Sequence, residues 1–229
     1  MSYDATSAPG PSGAPGPYDP PVPGSGPVAP APALRSPSGL GLAVTILLGV
    51  AGVVDLAAAL IGLGKGAGVS DIAVGDGTEA LSGDALLSGS VALVQLVLLL
   101  GTGIVFIIWF HRVRVNGGVF RPDLFGNGPG WAIGSWFIPI GNLFLPFRIA
   151  KQTWQASVQY GPDGSARALG VTPVTVWWFT FIGSNLVGRA SEAGGDLLSA
   201  VSAVFAVLFV RKLTALQVTK ATEGPNALA

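Results

Sequence analysis

Apolar residues run in long blocks along this chain, and most charged residues lie in the segments between the blocks. The hydrocarbon core of a bilayer takes roughly 20 apolar residues of a helix. Four blocks approach that length, so we predict membrane-spanning helices over residues 40–63, 86–110, 173–188 and 195–210. The pattern therefore predicts an all-α integral membrane protein with four transmembrane helices.

A fifth apolar block, residues 131–147, is interrupted by two prolines, Pro139 and Pro146. In a helix each proline frees the backbone carbonyl four residues earlier, because it has no N–H. Those carbonyls belong to Ser135 and Asn142, and the four residues would share one face of a helix. Lipid cannot satisfy such a polar stripe. We predict a proline-kinked, re-entrant or interfacial helix here, whose polar stripe forms a candidate broken-helix site.

The distribution of Lys and Arg decides whether residues 131–147 cross the membrane, because short basic loops mark the cytoplasmic side. If the block crosses, basic residues fall on both sides of the membrane. If it does not, only Lys65 and Arg189 lie outside, among six acidic residues. We therefore predict a multi-pass protein of the cell membrane with both termini cytoplasmic. The cytoplasmic cations would be Arg35, Arg112, Arg114, Arg121, Arg148, Lys151, Arg167, Arg211, Lys212 and Lys220.

Composition sets the first segment apart, because residues 1–38 hold 11 of the 18 prolines. Such a segment buries too little apolar surface to offset its ordering entropy, so we predict a disordered, proline-rich cytoplasmic tail. The membrane domain follows over 39–220, and a short C-terminal tail over 221–229. Within that domain we also predict a turn at Asn116-Gly117-Gly118 and a helix over 148–160.

Asp55 is the charged residue that we place within a span. An intramembrane carboxylate costs a few kcal/mol, and it normally faces the interior of a helix bundle. Gln95 and Ser202 lie at a similar depth in other spans, and Asn185 lies somewhat shallower. These four residues form a candidate functional polar layer. Two interpretations stay open, namely a purely structural contact between helices and a site for a ligand or a proton.

Tryptophan side chains are typical of the headgroup layer of a membrane, where one part of the ring is apolar and the other is wet. We predict interfacial anchors at Trp131, Trp136, Trp154, Trp177 and Trp178.

A further pattern combines Trp, Pro and Asn in 130–154 with polar residues near the C-terminus. It consists of Gly130-Trp131, Trp136-Phe137, Pro139, Asn142, Pro146, Trp154, Trp177-Trp178, Arg211, Thr214 and Gln217. This pattern resembles a bacterial membrane family catalogued as domain of unknown function 4328, over about residues 40–220. The resemblance implies a multi-span membrane protein, often with a Pro/Gly-rich cytoplasmic tail, and it implies no activity.

Composition also bounds the function. The chain has no cysteine, one histidine and a net charge of zero, so thiol chemistry, zinc clusters and nucleic-acid partners are not expected. We see no constellation of an enzyme and expect no cofactor, no metal and no catalytic residue. The expected partners are the lipid bilayer, a second copy of the chain or another membrane protein.

Two functions remain. The first is a membrane interaction or regulatory protein of the cell envelope. The alternative is a small transporter or channel that uses the intramembrane carboxylate and the broken helix. An open path to Asp55 would favour transport, and a tightly packed bundle would favour the first function.

Overall fold

The computed structural model describes residues 33–64, 83–161, 165 and 170–226. Contacts divide the chain into two units, Met1–Ala33 and Leu34–Ala229, and all the described helices belong to the second. The predicted tail lies almost wholly outside the described residues, as do Lys65 and Arg167.

The described residues form an all-α structure, which confirms the predicted class. Its helices are α1 (Ser38–Gly64), α2 (Gly83–Phe120), α3 (Trp131–Gly134), α4 (Leu145–Ser157), α5 (Thr172–Val187) and α6 (Glu192–Glu223). Three of them, α1, α2 and α6, are long and apolar enough to cross a membrane. The third predicted span corresponds to α5, which has 16 residues and a length of about 24 Å. Its length alone does not establish a crossing.

Helices α1 and α6 pack along their whole length through small residues. A Cβ atom built on any of three glycines of α1 would lie 3.0 Å or less from a side chain of α6. From one contact to the next, the residue number rises along α1 by as much as it falls along α6, so the two helices are antiparallel and in register. The three contacts are Gly41 with Thr214, Gly52 with Ala203 and Gly62 with Ala193.

Helix α1 is also antiparallel to α2, because Arg35 before α1 contacts Asn116 and Asp55 contacts Gln95. Helices α5 and α6 are antiparallel as well. Helix α5 turns tightly into α6, and a Cβ on Gly195 would lie only 2.5 Å from the Cα of Gly188. Farther along the same pair, the ring of Trp177 stacks on Phe209 at 4.9 Å. The bundle therefore has a tail end, where α1 begins and α2 and α6 end, and a loop end, where α1 ends and α6 begins.

The predicted turn at Asn116-Gly117-Gly118 is wrong, because α2 continues through it to Phe120. A Cβ on Gly117 would lie 3.2 Å from the Phe125 ring and 3.5 Å from the Thr153 side chain. The glycine therefore lets α4 approach the backbone of α2 closely. Tertiary packing has overridden the local turn preference of these residues.

Asn116 and Gln217 form a buried network at the tail end. The Asn116 amide donates to the Arg35 carbonyl at 2.8 Å and to Gln217 Oε1 at 3.0 Å, and its Oδ1 accepts the Arg35 N–H at 3.1 Å. The Gln217 amide donates to the Val113 carbonyl at 2.8 Å and to Ser157 Oγ at 3.0 Å. This tail-end network joins the entry to α1 with α2, α4 and α6.

Lys220 holds the end of α4 against α6. Its buried ammonium donates to the carbonyls of Ala156 and Val158 at 2.9 and 2.8 Å, and it lies 5.1 Å from the centre of the Tyr160 ring. A cation at a helix C-terminus satisfies carbonyls that have no partner within the helix. Helix α4 ends there at Ser157, three residues before the predicted end at Tyr160.

Aromatic side chains form the core near the tail end, and this corrects the predicted belt of tryptophans. Trp154, Trp177 and Trp178 are only 2–4% exposed, so they pack in the core and do not face headgroups. Trp136 is half-buried against Phe106. Trp131 is 41% exposed and retains the exposure that an interfacial anchor needs.

We expect the Gly195→Ala variant to unfold at a lower temperature than the parent protein. The added methyl group meets the backbone of Gly188, which cannot give way as a side chain can. The control is Gly101→Ala in α2, where a Cβ meets nothing within 4 Å. Alanine is favoured over glycine in a helix by about 1 kcal/mol, so the control should keep or raise its Tm in detergent. Equal Tm values for the two variants would contradict the close contact.

Candidate functional site

A glutamine amide joins two carboxyl groups in the loop-end half of the bundle. Gln95 Nε2 donates to Asp55 Oδ1 and to Asp196 Oδ1, each at 3.1 Å. The other oxygen of Asp55 accepts a hydrogen bond of 2.7 Å from Ser199 Oγ. Because one nitrogen contacts both carboxyl groups, their oxygens lie at most twice 3.1 Å apart.

The antiparallel packing of α1, α2 and α6 explains this meeting. The register that pairs Gly52 with Ala203 brings Asp55 beside Ser199. Asp196 and Ser199 lie three residues apart on one face of α6. Within the described residues, no Lys or Arg side chain contacts either carboxyl group. The group is therefore an uncompensated acidic pair in the bundle.

The sequence analysis did not identify Asp196 as a site residue. Because Asp196 lies near the end of an apolar block, it was counted among the acidic residues outside the membrane. It nevertheless lies inside the predicted span 195–210. Its spacing from Ser199 and Ser202 was the signal that could have placed it beside Asp55, so Asp55 is not the only intramembrane carboxylate candidate.

The other members of the predicted polar layer lie in the same region without bonding to Asp55. Ser202 is buried, one turn from Ser199 on α6. Asn185 is exposed, and its amide donates to the Phe181 carbonyl of its own helix at 2.8 Å. Both residues line the cavity into which the acidic pair faces.

That cavity has a volume of about 660 Å³, is lined mainly by residues of α1, α2, α5 and α6, and is partly open at the surface of the bundle. Asp55, Gln95 and Asp196 lie in its wall, together with the exposed Glu192 at the loop end. Small-molecule sites in proteins typically have volumes of roughly 300–1,000 Å³. The bundle is therefore not packed solidly around Asp55.

Two buried polar atoms in the cavity wall have no hydrogen-bond partner among the described residues, namely Thr102 Oγ1 and Trp136 Nε1. Thr45, Thr175 and Thr180 each donate to a carbonyl of their own helix or of the residue before it, as helical threonines commonly do. Thr102 does not, although it is only 7% exposed. A buried hydroxyl without a partner is costly, so these two positions stand out.

The predicted broken-helix site is not formed as one helical face. Residues 131–147 comprise the four-residue α3, a series of turns with a 3₁₀ turn at Gly141–Leu143, and the start of α4. Pro146 is the second residue of α4, where a missing N–H costs nothing, so it starts a helix and does not kink one. Ser135 and Pro146 are buried, and Pro139 is exposed.

Comparison with known proteins now places the chain. The family model described as Domain of unknown function (DUF4328) matches residues 74–215. The chain belongs to this family. The searches of curated proteins and of solved structures find no match.

The matched region of the DUF4328 family includes Gln95, Thr102 and Asp196, whereas Asp55 precedes it. Gln95 joins the carboxyl groups of Asp55 and Asp196, and two of these three residues therefore lie in the DUF4328 domain. The third comes from α1, which packs against that domain along α6. The match confirms the resemblance noted from sequence and assigns no activity to the site.

We expect Gln95→Leu to destabilise the protein by about 1 kcal/mol, because it removes the donor shared by two half-buried acceptors. Adding Asp55→Asn to this variant should restore part of the loss, since it removes one of two facing carboxylates. The Tm of the parent, both single variants and the double variant in nanodiscs gives the coupling. Strictly additive changes would mean that Gln95 and Asp55 do not interact.

Proposed function

We propose that this DUF4328 protein is a four-span protein of the cell envelope that binds a cationic solute in the bundle cavity, as a small transporter or channel does. The observation that carries the proposal is the acidic pair, Asp55 and Asp196, in the wall of a cavity of about 660 Å³. Carboxylates within spans usually face a cavity and mark the paths of ions or substrates.

Electrostatics supports a positively charged solute. Both carboxyl groups share the neutral Gln95 amide, and no described cation contacts them. Glu192 adds a third acidic side chain at the loop end. A cleft lined by charge of one sign raises the local concentration of the opposite charge.

Chain direction supports four spans. Helix α2 ends at the tail end and α6 begins at the loop end, so the intervening chain returns to the loop end. Helix α5 runs beside α6 between Phe209 and Gly195 and makes that return. Residues 131–144 contain no helix longer than α3, which favours a segment that does not cross. The basic residues near the tail end favour a cytoplasmic position for that end.

A second candidate function is that of a membrane interaction or regulatory protein. The observation that favours it is a set of exposed basic side chains near the tail end, which would meet an acidic partner or anionic lipid. They are Arg148, Lys151, Arg211 and Lys212. This function needs neither the cavity nor the acidic pair, so the carboxylates separate the two candidates.

The topology is testable with single cysteines, because the natural chain has none. We expect a cysteine at Ser70 to react with an impermeant thiol reagent in intact cells, and cysteines at Asn127 and Ser165 to react only after lysis. Reaction at Ser165 without reaction at Asn127 would instead mean that residues 131–147 cross the membrane.

The transport proposal is testable in proteoliposomes on a solid support, where currents are recorded under gradients of sodium, of protons and of an organic ammonium ion. We expect the parent protein to carry current under at least one gradient. The current of the Asp55→Asn/Asp196→Asn variant should be at least about tenfold lower than that of the parent, because the variant lacks both carboxyl groups while keeping the shape of the side chains.

The control is Asp123→Asn. Asp123 is exposed outside the cavity, and its hydrogen bond from Arg121 lowers the pKa of its carboxyl group, so it is ionised at neutral pH. This variant should carry the current of the parent. The proposal fails if the parent carries no more current than protein-free liposomes, or if the double variant equals the parent.

A further inference from the structure

The wall of the cavity changes in chemistry from one end to the other. The loop-end part carries the acidic pair, and the part nearer the tail end is aromatic. The aromatic part packs edge to face and at a tilt, with ring centres 5.5–5.8 Å apart for Phe106 with Trp136 and Trp177. A ligand that matches both parts of the wall is therefore polar or charged at one end and apolar at the other.

Thr102 lies between these two parts. It follows Gln95 by seven residues, two turns of α2, so both side chains point to the same face of the helix. Its side chain is more than nine-tenths buried, and its Oγ1 has no hydrogen-bond partner among the described residues. This hydroxyl is independent of the carboxylates, and it places a donor and acceptor midway along the wall.

We infer that the cavity binds an organic primary ammonium compound with an apolar, ring-sized body. The ammonium group donates hydrogen bonds to the free lone pairs of Asp55 and Asp196. The body lies against Phe106, Trp136 and Trp177, and the Thr102 hydroxyl receives or donates one polar contact along it.

An inorganic cation fits these donors less well. Calcium takes six to eight oxygen ligands, whereas the described residues contain no group of three acidic, His or Cys side chains that could hold a metal ion. The amide that faces the carboxylates presents its nitrogen, which donates and does not coordinate. The aromatic part of the wall would also contribute nothing to a bare ion.

The inference rests on one part of the proposed function, namely that the cavity binds a cationic ligand. It does not depend on transport. Binding without current would leave the ligand assignment standing and remove the transporter. Current without ammonium binding would leave the transporter proposal standing and contradict the ligand assignment.

The test is binding of 2-phenylethylammonium to the full-length protein in phosphatidylcholine nanodiscs, measured by calorimetry and by tryptophan fluorescence. The neutral analogue 2-phenylethanol has the same size and shape without the charge. We expect the ammonium compound to bind at least about tenfold more tightly than the alcohol, and the Asp55→Asn/Asp196→Asn variant to lose that preference. The Asp123→Asn variant should keep it.

Equal binding of the ammonium compound and the alcohol by the parent protein would overturn the inference, and this comparison needs no variant to fold. The same fluorescence change on addition of sodium chloride alone would also overturn it, because the site would then be one for an inorganic ion. If the double variant folds by its Tm and keeps the preference for charge, the acidic pair is not the site.

The ammonium group has two natural sources, a free amine or the headgroup of an ethanolamine lipid. Nanodiscs that also contain phosphatidylethanolamine separate them. Weaker binding of 2-phenylethylammonium in those discs would identify the lipid as the occupant, and unchanged binding would identify a free amine. Both results agree with a primary ammonium group at the acidic pair, and only the second agrees with a ring-sized body.

Discussion

The close approach of α1 and α6 is the constraint on which the rest of the bundle depends. Three glycines on α1 let the two helices approach so closely that a Cβ at any of these positions would lie 3.0 Å or less from a side chain of α6. Dispersion contacts between small residues favour such packing in lipid, where burial of apolar surface gives little driving force. The resulting register decides which polar residues meet, and it brings Asp55 of α1 to Ser199 of α6.

Each end of the bundle has a polar contact organised by a side-chain amide. At the tail end Gln217 donates both of its N–H groups to protein acceptors, and Asn116 closes the network on Arg35. At the loop end Gln95 divides its donors between two carboxyl groups. The first network joins neutral partners and is suited to holding helices together. The second leaves carboxylate lone pairs directed at a cavity, which suits binding.

Much of this arrangement follows from the sequence, because helical periodicity and depth in the membrane are local quantities. They sufficed to place Asp55 and Gln95 at one level. The sequence analysis did not include Asp196 in the polar layer, because a residue at the end of an apolar block can be assigned either to the span or to the loop outside it. Only the position of α6 against α1, which depends on tertiary packing, brings its carboxyl group inward.

The prolines and the tryptophans show the same limit. Pro139 and Pro146 predict an interruption in the apolar block, but whether a proline kinks a helix or begins one depends on what the next turn packs against. Helix α4 begins at Leu145 and packs against α2. Trp154, Trp177 and Trp178 suit either a headgroup layer or an apolar core by composition, and the core is where they lie.

Helix α5 is attached to the bundle in a different way from its neighbours. In the described part of the chain, every side-chain hydrogen bond that it makes goes to a carbonyl of α5 itself or of Val171. Helix α1, by contrast, is tied to α2 both through Arg35 and through Asp55. Apart from the backbone hydrogen bonds of the short turn into α6, a tilt of α5 against α6 would thus break contacts between apolar surfaces and no described side-chain hydrogen bond. Since α5 forms one wall of the cavity, the width of the cavity at that wall depends on apolar packing and not on side-chain hydrogen bonds.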